Sequence, residues 1–186
     1  MDAAAGIVLR ALRDLDLEKD TIVVYTSDHG EMLSEHGLWQ KFQFYESSCG
    51  VPFMLRAPGV SATGTCGAPF SQVSLLPTLA ELCGVPVRTP IDGTSLVPQL
   101  RHPEAPRNEP VFAEYNLGND HAKYMIRAGD YKYTFWTHDI AELYNLRTDS
   151  QEMDNLALKS EHAATVARLK AKLFAWYRPP ETLANR

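Results

Sequence analysis

The stretch that decides the fold is Thr21-Ile22-Val23-Val24-Tyr25-Thr26, followed directly by Ser27-Asp28-His29-Gly30. β-Branched and aromatic side chains fill the first six positions without alternating with strongly polar ones. This pattern is typical of a short strand that is covered on both faces, as in a parallel sheet. Residues 2–18, which precede it, repeat apolar side chains at helical spacing and predict an amphipathic helix. A helix followed by a covered strand is half of an α/β unit.

Similar signals continue to about residue 108. Residues 51–56 predict a second short strand, and residues 71–83 predict a helix because leucines recur there at helical spacing. Gly84 follows that helix directly, at the position where glycine is favoured after a last helical turn. Residues 86–109 are rich in proline, threonine and charged side chains, so they predict a long surface connection.

The sequence changes character from residue 109 onward. The pattern predicts four short strands and a closing helix, at residues 111–115, 123–127, 131–136, 142–146 and 161–177. This order is typical of a small antiparallel sheet that is covered by one helix. We therefore expect two domains, an α/β part at residues 1–108 and a small α+β subdomain at residues 109–186.

Composition and charge exclude several classes of protein. The 186 residues are 45% hydrophobic, which is too apolar for a disordered chain, and their net charge of −5 argues against a nucleic-acid-binding surface. No apolar run approaches the roughly 18 residues that span a bilayer, so we expect no membrane partner. Three widely spaced cysteines form neither a disulfide framework nor a zinc site. The first residues show no signal peptide, which slightly favours a cytoplasmic location.

Asp28 and His29 follow the predicted strand at its carboxyl end, where α/β proteins bind ligands. A carboxylate beside an imidazole is a ready pair of metal ligands, and Gly30 allows the chain to turn sharply after them. Lys41 lies in the same loop, and an ammonium near a divalent cation suits an anionic oxygen of sulfate, phosphate or carboxylate. The ordinary alternatives are a turn-forming aspartate and solvated loop residues, and they apply to His36 as well.

A resemblance to a known family begins in this loop. Residues 26–41, TSDHGEMLSEHGLWQK, resemble the metal-and-lysine segment of the type I sulfatases, which belong to the alkaline-phosphatase-like superfamily. The similarity continues through VPFMLRAPG at 51–59, LPTL at 76–79, DGTSL at 92–96, RAGDYKY at 127–133 and ELYNL at 142–146. These segments follow the family's order over nearly the whole chain, which is far more specific than any one of them. Residues 111–115 lean toward the branch of choline-sulfatases and phosphonate monoester hydrolases.

The resemblance implies a fold, a reaction and a set of site residues. The fold would be part of an alkaline-phosphatase-like sandwich, a mostly parallel sheet with helices, followed by a small antiparallel subdomain with one helix. Asp28 and His29 fall where the family places two ligands of one divalent cation, with Ca²⁺ the first choice and Mn²⁺ the second. Lys41 falls where the family holds a catalytic lysine against the oxygen of a sulfate ester. His36 would be a further substrate-binding residue.

The sequence departs from the family pattern upstream of Asp28. The family's nucleophile is a formylglycine made in a Cys/Ser-x-Pro-x-Arg motif, which precedes the Asp-His pair together with two more acidic metal ligands. Only 27 residues precede Asp28, and none of Cys49, Cys66 and Cys83 begins such a motif. Two ligands are too few for a hard cation that takes about six. We therefore expect the C-terminal portion of a sulfatase, which as an isolated chain is inactive and either marginally stable or oligomeric.

Three functions remain open at this point. The leading interpretation is a sulfuric ester hydrolase, which hydrolyses a small-molecule sulfate monoester in a metal-dependent reaction. A phosphonate or phosphate ester hydrolase of the same superfamily is the second, because the two tetrahedral anions are similar in size. The third is a truncated, non-catalytic module that binds an anion or a partner, which would agree with the absent nucleophile motif.

Overall fold

The computed structural model describes residues 2–60, 63–115 and 121–177 of the chain. The described residues before 109 form four α-helices and two strands: α1 (Asp2–Asp14), β1 (Val23–Thr26), α2 (Glu46–Cys49), β2 (Phe53–Arg56), α3 (Leu75–Leu82) and α4 (Val97–Arg101). The predicted N-terminal helix, the two predicted strands and the predicted helix within residues 71–83 are all present.

β1 and β2 pair with each other in antiparallel register, with Val23 opposite Arg56 and Thr26 opposite Phe53. The prediction of a parallel strand covered on both faces was therefore wrong for this pair, and the side chains of Tyr25 and Thr26 are exposed. A run of apolar residues indicates how far the faces of a strand can be covered. It says nothing about the direction of the neighbouring strand, and mixed sheets place antiparallel strands beside parallel ones.

α3 begins after a short 3₁₀ turn at Gln72–Ser74 and ends before Gly84. Gly84 has a φ of +66°, the left-handed conformation that glycine adopts at low cost just beyond a helix. The expectation for the end of this helix is therefore confirmed.

α4 differs from the predicted surface connection at residues 86–109. Leu96 and Val97 are buried, and the amide of Leu96 donates to Oγ1 of Thr78 at 2.9 Å, which attaches this segment to α3. A helix of five residues with a proline in its first turn is too short to produce a periodic apolar pattern. The composition of residues 86–109 therefore gave no sign of the packed helix at Val97–Arg101.

The part after residue 109 is a four-stranded sheet with one covering helix. Its strands are β3 (Val111–Tyr115), β4 (Lys123–Ala128), β5 (Tyr131–Trp136) and β6 (Glu142–Asn145), which lie side by side in sequence order. Every neighbouring pair is antiparallel, and α5 (Ala163–Trp176) packs on one face. The core between them consists of Ala122, Tyr124, Ile126, Tyr133, Phe135, Leu143, Leu169 and Leu173. The predicted antiparallel sheet with one helix is confirmed.

The opposite face of this sheet packs on residues 42–46 of the first part. Side chains alternate along a strand, so Lys123, Arg127 and Lys132 lie on the face away from α5. Each of the three donates a hydrogen bond to a group within residues 42–46. The sheet therefore contacts the loop that follows Lys41, and this contact positions the candidate site.

Helices and sheets together give the α/β architecture that the sequence predicts. The domain division between residues 108 and 109 stays a prediction, and residues 178–186 of the second predicted domain lie outside the described ranges. No described helix is both long and apolar enough to cross a membrane.

Candidate active site

The motif Ser27-Asp28-His29-Gly30 lies immediately after the carboxyl end of β1. Oγ of Ser27 donates to the carbonyl oxygen of His29 at 2.8 Å, and the amide of Gly30 donates to the carbonyl oxygen of Ser48 at 2.8 Å. A Cβ atom at position 30 would collide with the carbonyl oxygen of Ser47. Glycine is required here because two backbone segments approach too closely for any side chain.

His29 and Lys41 are in direct contact. Nζ of Lys41 lies 2.8 Å from Nε2 of His29, while Nδ1 of the same ring lies 2.6 Å from the carbonyl oxygen of Gly30. A carbonyl oxygen can only accept, so Nδ1 carries the proton and donates. The lone pair of the neutral ring is then on Nε2, where it accepts from Lys41 and where a metal ion would bind.

Asp28 supplies an anionic oxygen beside that ring. Its Oδ2 lies 3.4 Å from Nε2 of His29, and the carboxylate is 83% exposed. A hydrogen bond from the backbone amide of His29 to Oδ1 holds the pKa of Asp28 below its usual value. Asp28 is therefore ionised at neutral pH and is a ready ligand for a hard cation.

The donor set fits a divalent cation in part. Carboxylate oxygen and neutral imidazole nitrogen are ligands that Ca²⁺ and Mn²⁺, respectively, accept. Within the described residues, however, no group of three or more histidine, cysteine, aspartate or glutamate side chains is arranged to hold a metal. Asp28 and His29 would therefore hold one side of the ion, and its remaining ligands would come from elsewhere.

The side chains of Asp28, His29 and Lys41 line a cleft of about 500 Å³ between the first part of the chain and the second sheet. Gln43 lines it from the loop after Lys41, Glu46 lines it from the first turn of α2, and Arg127 lines it from β4. Nη1 of Arg127 lies 3.1 Å from Oε2 of Glu46, so this guanidinium forms an ion pair with a carboxylate that also lines the cleft. Sequence reasoning missed Arg127, although the alternation of side chains along residues 123–128 was a usable signal for the face it occupies.

His36 lies against Tyr45. The two rings stack at a centroid distance of 3.9 Å and an angle of 7°, and His36 is not among the described residues that line the cleft. The hydroxyl of Tyr45 donates to Oε1 of Glu142 at 2.7 Å, and burial together with this carboxylate raises the pKa of Tyr45 well above its usual value. The structure thus brings Asp28, His29 and Lys41 together, and the substrate contact for His36 stays a prediction.

The chain matches known proteins along most of its length. Residues 34–178 match the family described as N-sulphoglucosamine sulphohydrolase, C-terminal. The choline-sulfatase of Rhizobium meliloti is 39% identical over 161 residues, which are 84% of this chain and 31% of that protein. The chain therefore spans about a third of the length of this curated relative.

Solved structures share the fold. One solved structure is of a protein in complex with its substrate D-glucosamine-2-N,6-O-disulfate. It has a TM-score of 0.83 and 30% identity, over 95% of this chain and 39% of that one. The phosphonate monoester hydrolase of Silicibacter pomeroyi has a TM-score of 0.81 and 28% identity, over 94% and 38%. The predicted resemblance is confirmed, and because the family match covers well over half of the 186 residues, this chain belongs to the sulfatase family.

Proposed function

We propose that this protein is a sulfuric ester hydrolase, which hydrolyses a sulfate monoester with the help of one divalent cation. The observation that carries the proposal is the contact of Lys41 with His29 beside the ionised Asp28, at the end of β1 and inside a cleft. An ammonium, a carboxylate and an imidazole that can ligate a metal ion are together suited to binding an anionic ester. Membership of the sulfatase family supports sulfate as that ester's acid group.

Asp28 and His29 are the proposed metal ligands. Sulfatases use a divalent metal ion, which when bound polarises the sulfate oxygens as a Lewis acid. Ca²⁺ is our first choice because a carboxylate oxygen is a hard ligand, and Mn²⁺ is the second because it also accepts the imidazole nitrogen of His29. Asp28 would bind the ion and balance its charge, and the hydrogen bond from Nδ1 of His29 to the carbonyl oxygen of Gly30 selects the tautomer whose Nε2 would bind it.

Lys41 is the proposed catalytic residue. Its ammonium would lie against the bridging oxygen of the ester and offset the negative charge that develops there when the bond to sulfur breaks. Removal of one such donor typically lowers kcat by about 10²–10³-fold. The loss is larger for a poor leaving group, because its oxygen carries more charge in the transition state.

The test uses the native gene product, which is identified by its intact mass and N-terminal sequence. It compares the Lys41→Met variant with the unchanged protein. Sulfate release is measured from 4-nitrophenyl sulfate, which has a good leaving group, and from phenyl sulfate, which has a poorer one. We expect the larger loss on phenyl sulfate. Lys19→Met is the matched control, because Lys19 is exposed and pairs with Asp16 outside the cleft. An absence of sulfate release from the unchanged native product would contradict the proposal.

The two alternatives predict different results in separate experiments on the native gene product. A phosphonate ester hydrolase would turn over an aryl phosphonate faster than the matching aryl sulfate, and the curated relative, a choline-sulfatase, does not favour it. A non-catalytic module would keep its biological role in Asp28→Ala and Lys41→Ala variants. The isolated chain of residues 1–186 is expected to be inactive, because Asp28 and His29 supply only part of a cation's ligands.

A further inference from the structure

We propose that Lys132 of the second sheet, acting through Glu46 and Glu152, is a positioning residue that holds the loop of Lys41 in its place at the cleft. These three residues and Arg127 are named the Lys132 cluster. The inference rests on the proposed role of Lys41 in ester hydrolysis. It assigns a function to the sheet that lies beyond the predicted domain boundary.

Lys132 is almost completely buried, with 1% of its side chain exposed. Its Nζ lies 2.8 Å from Oε1 of Glu46 and 2.6 Å from Oε1 of Glu152, and it donates to the carbonyl oxygen of Phe44 at 2.6 Å. Two of these three oxygen atoms belong to the loop and one to the segment after β6. The ammonium therefore joins two segments that are far apart in sequence.

Glu152 and Arg127 also bind Glu46, one at its backbone amide and the other at its carboxylate. Oε2 of Glu152 accepts from the backbone amide of Glu46 at 2.6 Å, and Nη1 of Arg127 lies 3.1 Å from Oε2 of Glu46. Burial alone would raise the pKa of Glu46, but the ion pairs with Lys132 and Arg127 hold it below its usual value. Both the backbone and the side chain of Glu46 are thus held by the second part of the chain.

From Glu46 the restraint continues to the site. Glu46 begins α2, and Ser48 in this helix donates from Oγ to the carbonyl oxygen of Lys41 at 2.7 Å. The carbonyl oxygen of Ser48 accepts from the amide of Gly30 at 2.8 Å, next to His29. The backbone of Lys41 and the turn that carries His29 are therefore anchored to the same buried residue, which is anchored to the Lys132 cluster through α2.

Stability alone is a poor explanation for these buried charges. Apolar side chains of similar volume can replace a buried ion pair without loss of stability, because charges are costly to remove from water. An ammonium that meets three oxygen atoms specifies one arrangement of the loop, which an apolar contact does not. Catalysis needs such accuracy, because a displacement of about 1 Å can lower a rate by roughly 100-fold.

The test is a double-mutant cycle of Lys132→Met and Lys41→Met in the native gene product, measured on 4-nitrophenyl sulfate and phenyl sulfate. We expect Lys132→Met to lower kcat by about tenfold or more on phenyl sulfate, and less on 4-nitrophenyl sulfate. KM stays within about twofold. In the Lys41→Met background the same substitution should have little further effect, because the group that it positions is absent.

A purely structural role predicts a different result. Loss of folded protein lowers the rate on both substrates by one factor and multiplies with the effect of Lys41→Met, and this outcome would overturn the inference. Lys170→Met is the matched control, since Lys170 is in the same part of the chain but contacts Phe135 and Phe174 on the opposite face. It should leave the ratio of the two rates unchanged.

Two further variants and one further measurement keep the test decisive. If Lys132→Met fails to fold, Lys132→Met combined with Glu152→Gln removes both buried charges at similar volume, and Lys132→Arg should restore most of the leaving-group selectivity. Hydrogen exchange of the amides at residues 47–50 should be faster in the methionine variant but not in Lys170→Met. If the native product without substitutions has no sulfatase activity, the proposed function is wrong. If hydrogen exchange at residues 47–50 is the same in Lys132→Met, or if the effects of Lys132→Met and Lys41→Met multiply, this inference is wrong.

Discussion

The side-chain nitrogen of Lys41 lies 2.8 Å from Nε2 of His29, although the two residues are twelve positions apart in sequence. The proton on Nδ1 is held by the carbonyl oxygen of Gly30, so Nε2 offers its lone pair toward the cleft. A cation that binds this nitrogen would compete with Lys41 for the same lone pair. The ammonium would then be free to bind the oxygen atoms of an anion, which would link metal binding to substrate binding.

Cation binding should depend on Asp28 and His29. In the native gene product we expect Asp28→Ala and His29→Ala each to weaken the binding of Ca²⁺ and of Mn²⁺ by at least about tenfold, because each removes a proposed ligand. Isothermal titration calorimetry measures both affinities. Glu35→Ala is the matched control, since this exposed carboxylate is in the same loop but does not line the cleft. Equal affinities in all variants would contradict the assigned ligands.

Gly30 should tolerate no side chain. A Cβ atom would collide with the carbonyl oxygen of Ser47, and the hydrogen bond from the amide of Gly30 to the carbonyl oxygen of Ser48 would be displaced. We expect Gly30→Ala to lower the free energy of unfolding by about 2 kcal/mol or more and to lower the proposed sulfatase activity of the native gene product. Urea denaturation gives the first value. Gly67→Ala is the control for stability, because its Cβ would meet no atom within 4 Å, and it should leave the free energy of unfolding nearly unchanged.

Local patterns predicted most of the helices and strands, and they pointed to the residues of the candidate site, whose roles stay proposals. The apolar run at residues 21–26 and the amphipathic helix α5 are features of adjacent residues, and their types were correct. The direction of the β1–β2 pair was not, because strand direction depends on how the chain returns to the sheet. The Lys132 cluster could not be predicted either: Lys132 and Glu46 are 86 positions apart, and no local pattern indicates that they meet.

The stacking of His36 on Tyr45 makes a specific prediction about the role of His36. Since the rings are 3.9 Å apart and His36 does not line the cleft, we expect His36→Ala to cost about 1 kcal/mol of stability and to leave KM within about twofold. Thermal unfolding and steady-state kinetics of the native gene product measure the two effects. Tyr45→Phe, which keeps the stack and loses only the bond to Glu142, serves as the comparison. A clear rise in KM for His36→Ala would instead support the predicted substrate contact.

Cys49 should make the protein less stable as the pH rises above 9. Burial, with a smaller contribution from the carboxylates of Glu46 and Glu152, raises the pKa of this thiol from 9.0 to about 11, while the ammonium of Lys132 opposes the rise. Between these two values the unfolded chain loses the proton and the folded chain keeps it. The stability that the thiol contributes is therefore fully present below pH 9 and falls by roughly 1.4 kcal/mol per pH unit up to about pH 11.

A serine at position 49 isolates this effect, because its hydroxyl can still donate to the carbonyl oxygen of Phe44, as the thiol does at 3.1 Å, but does not titrate in this range. We expect the urea midpoint of the unchanged protein to fall between pH 9 and 10 and that of Cys49→Ser to fall less. Buried tyrosines such as Tyr133, whose pKa is raised to about 12, add their own loss only above pH 10, where unfolded tyrosine ionises. Cys83→Ser is the control at an exposed cysteine and should follow the unchanged protein. Identical slopes in Cys49→Ser and the unchanged protein would show that the thiol is not kept protonated by its surroundings.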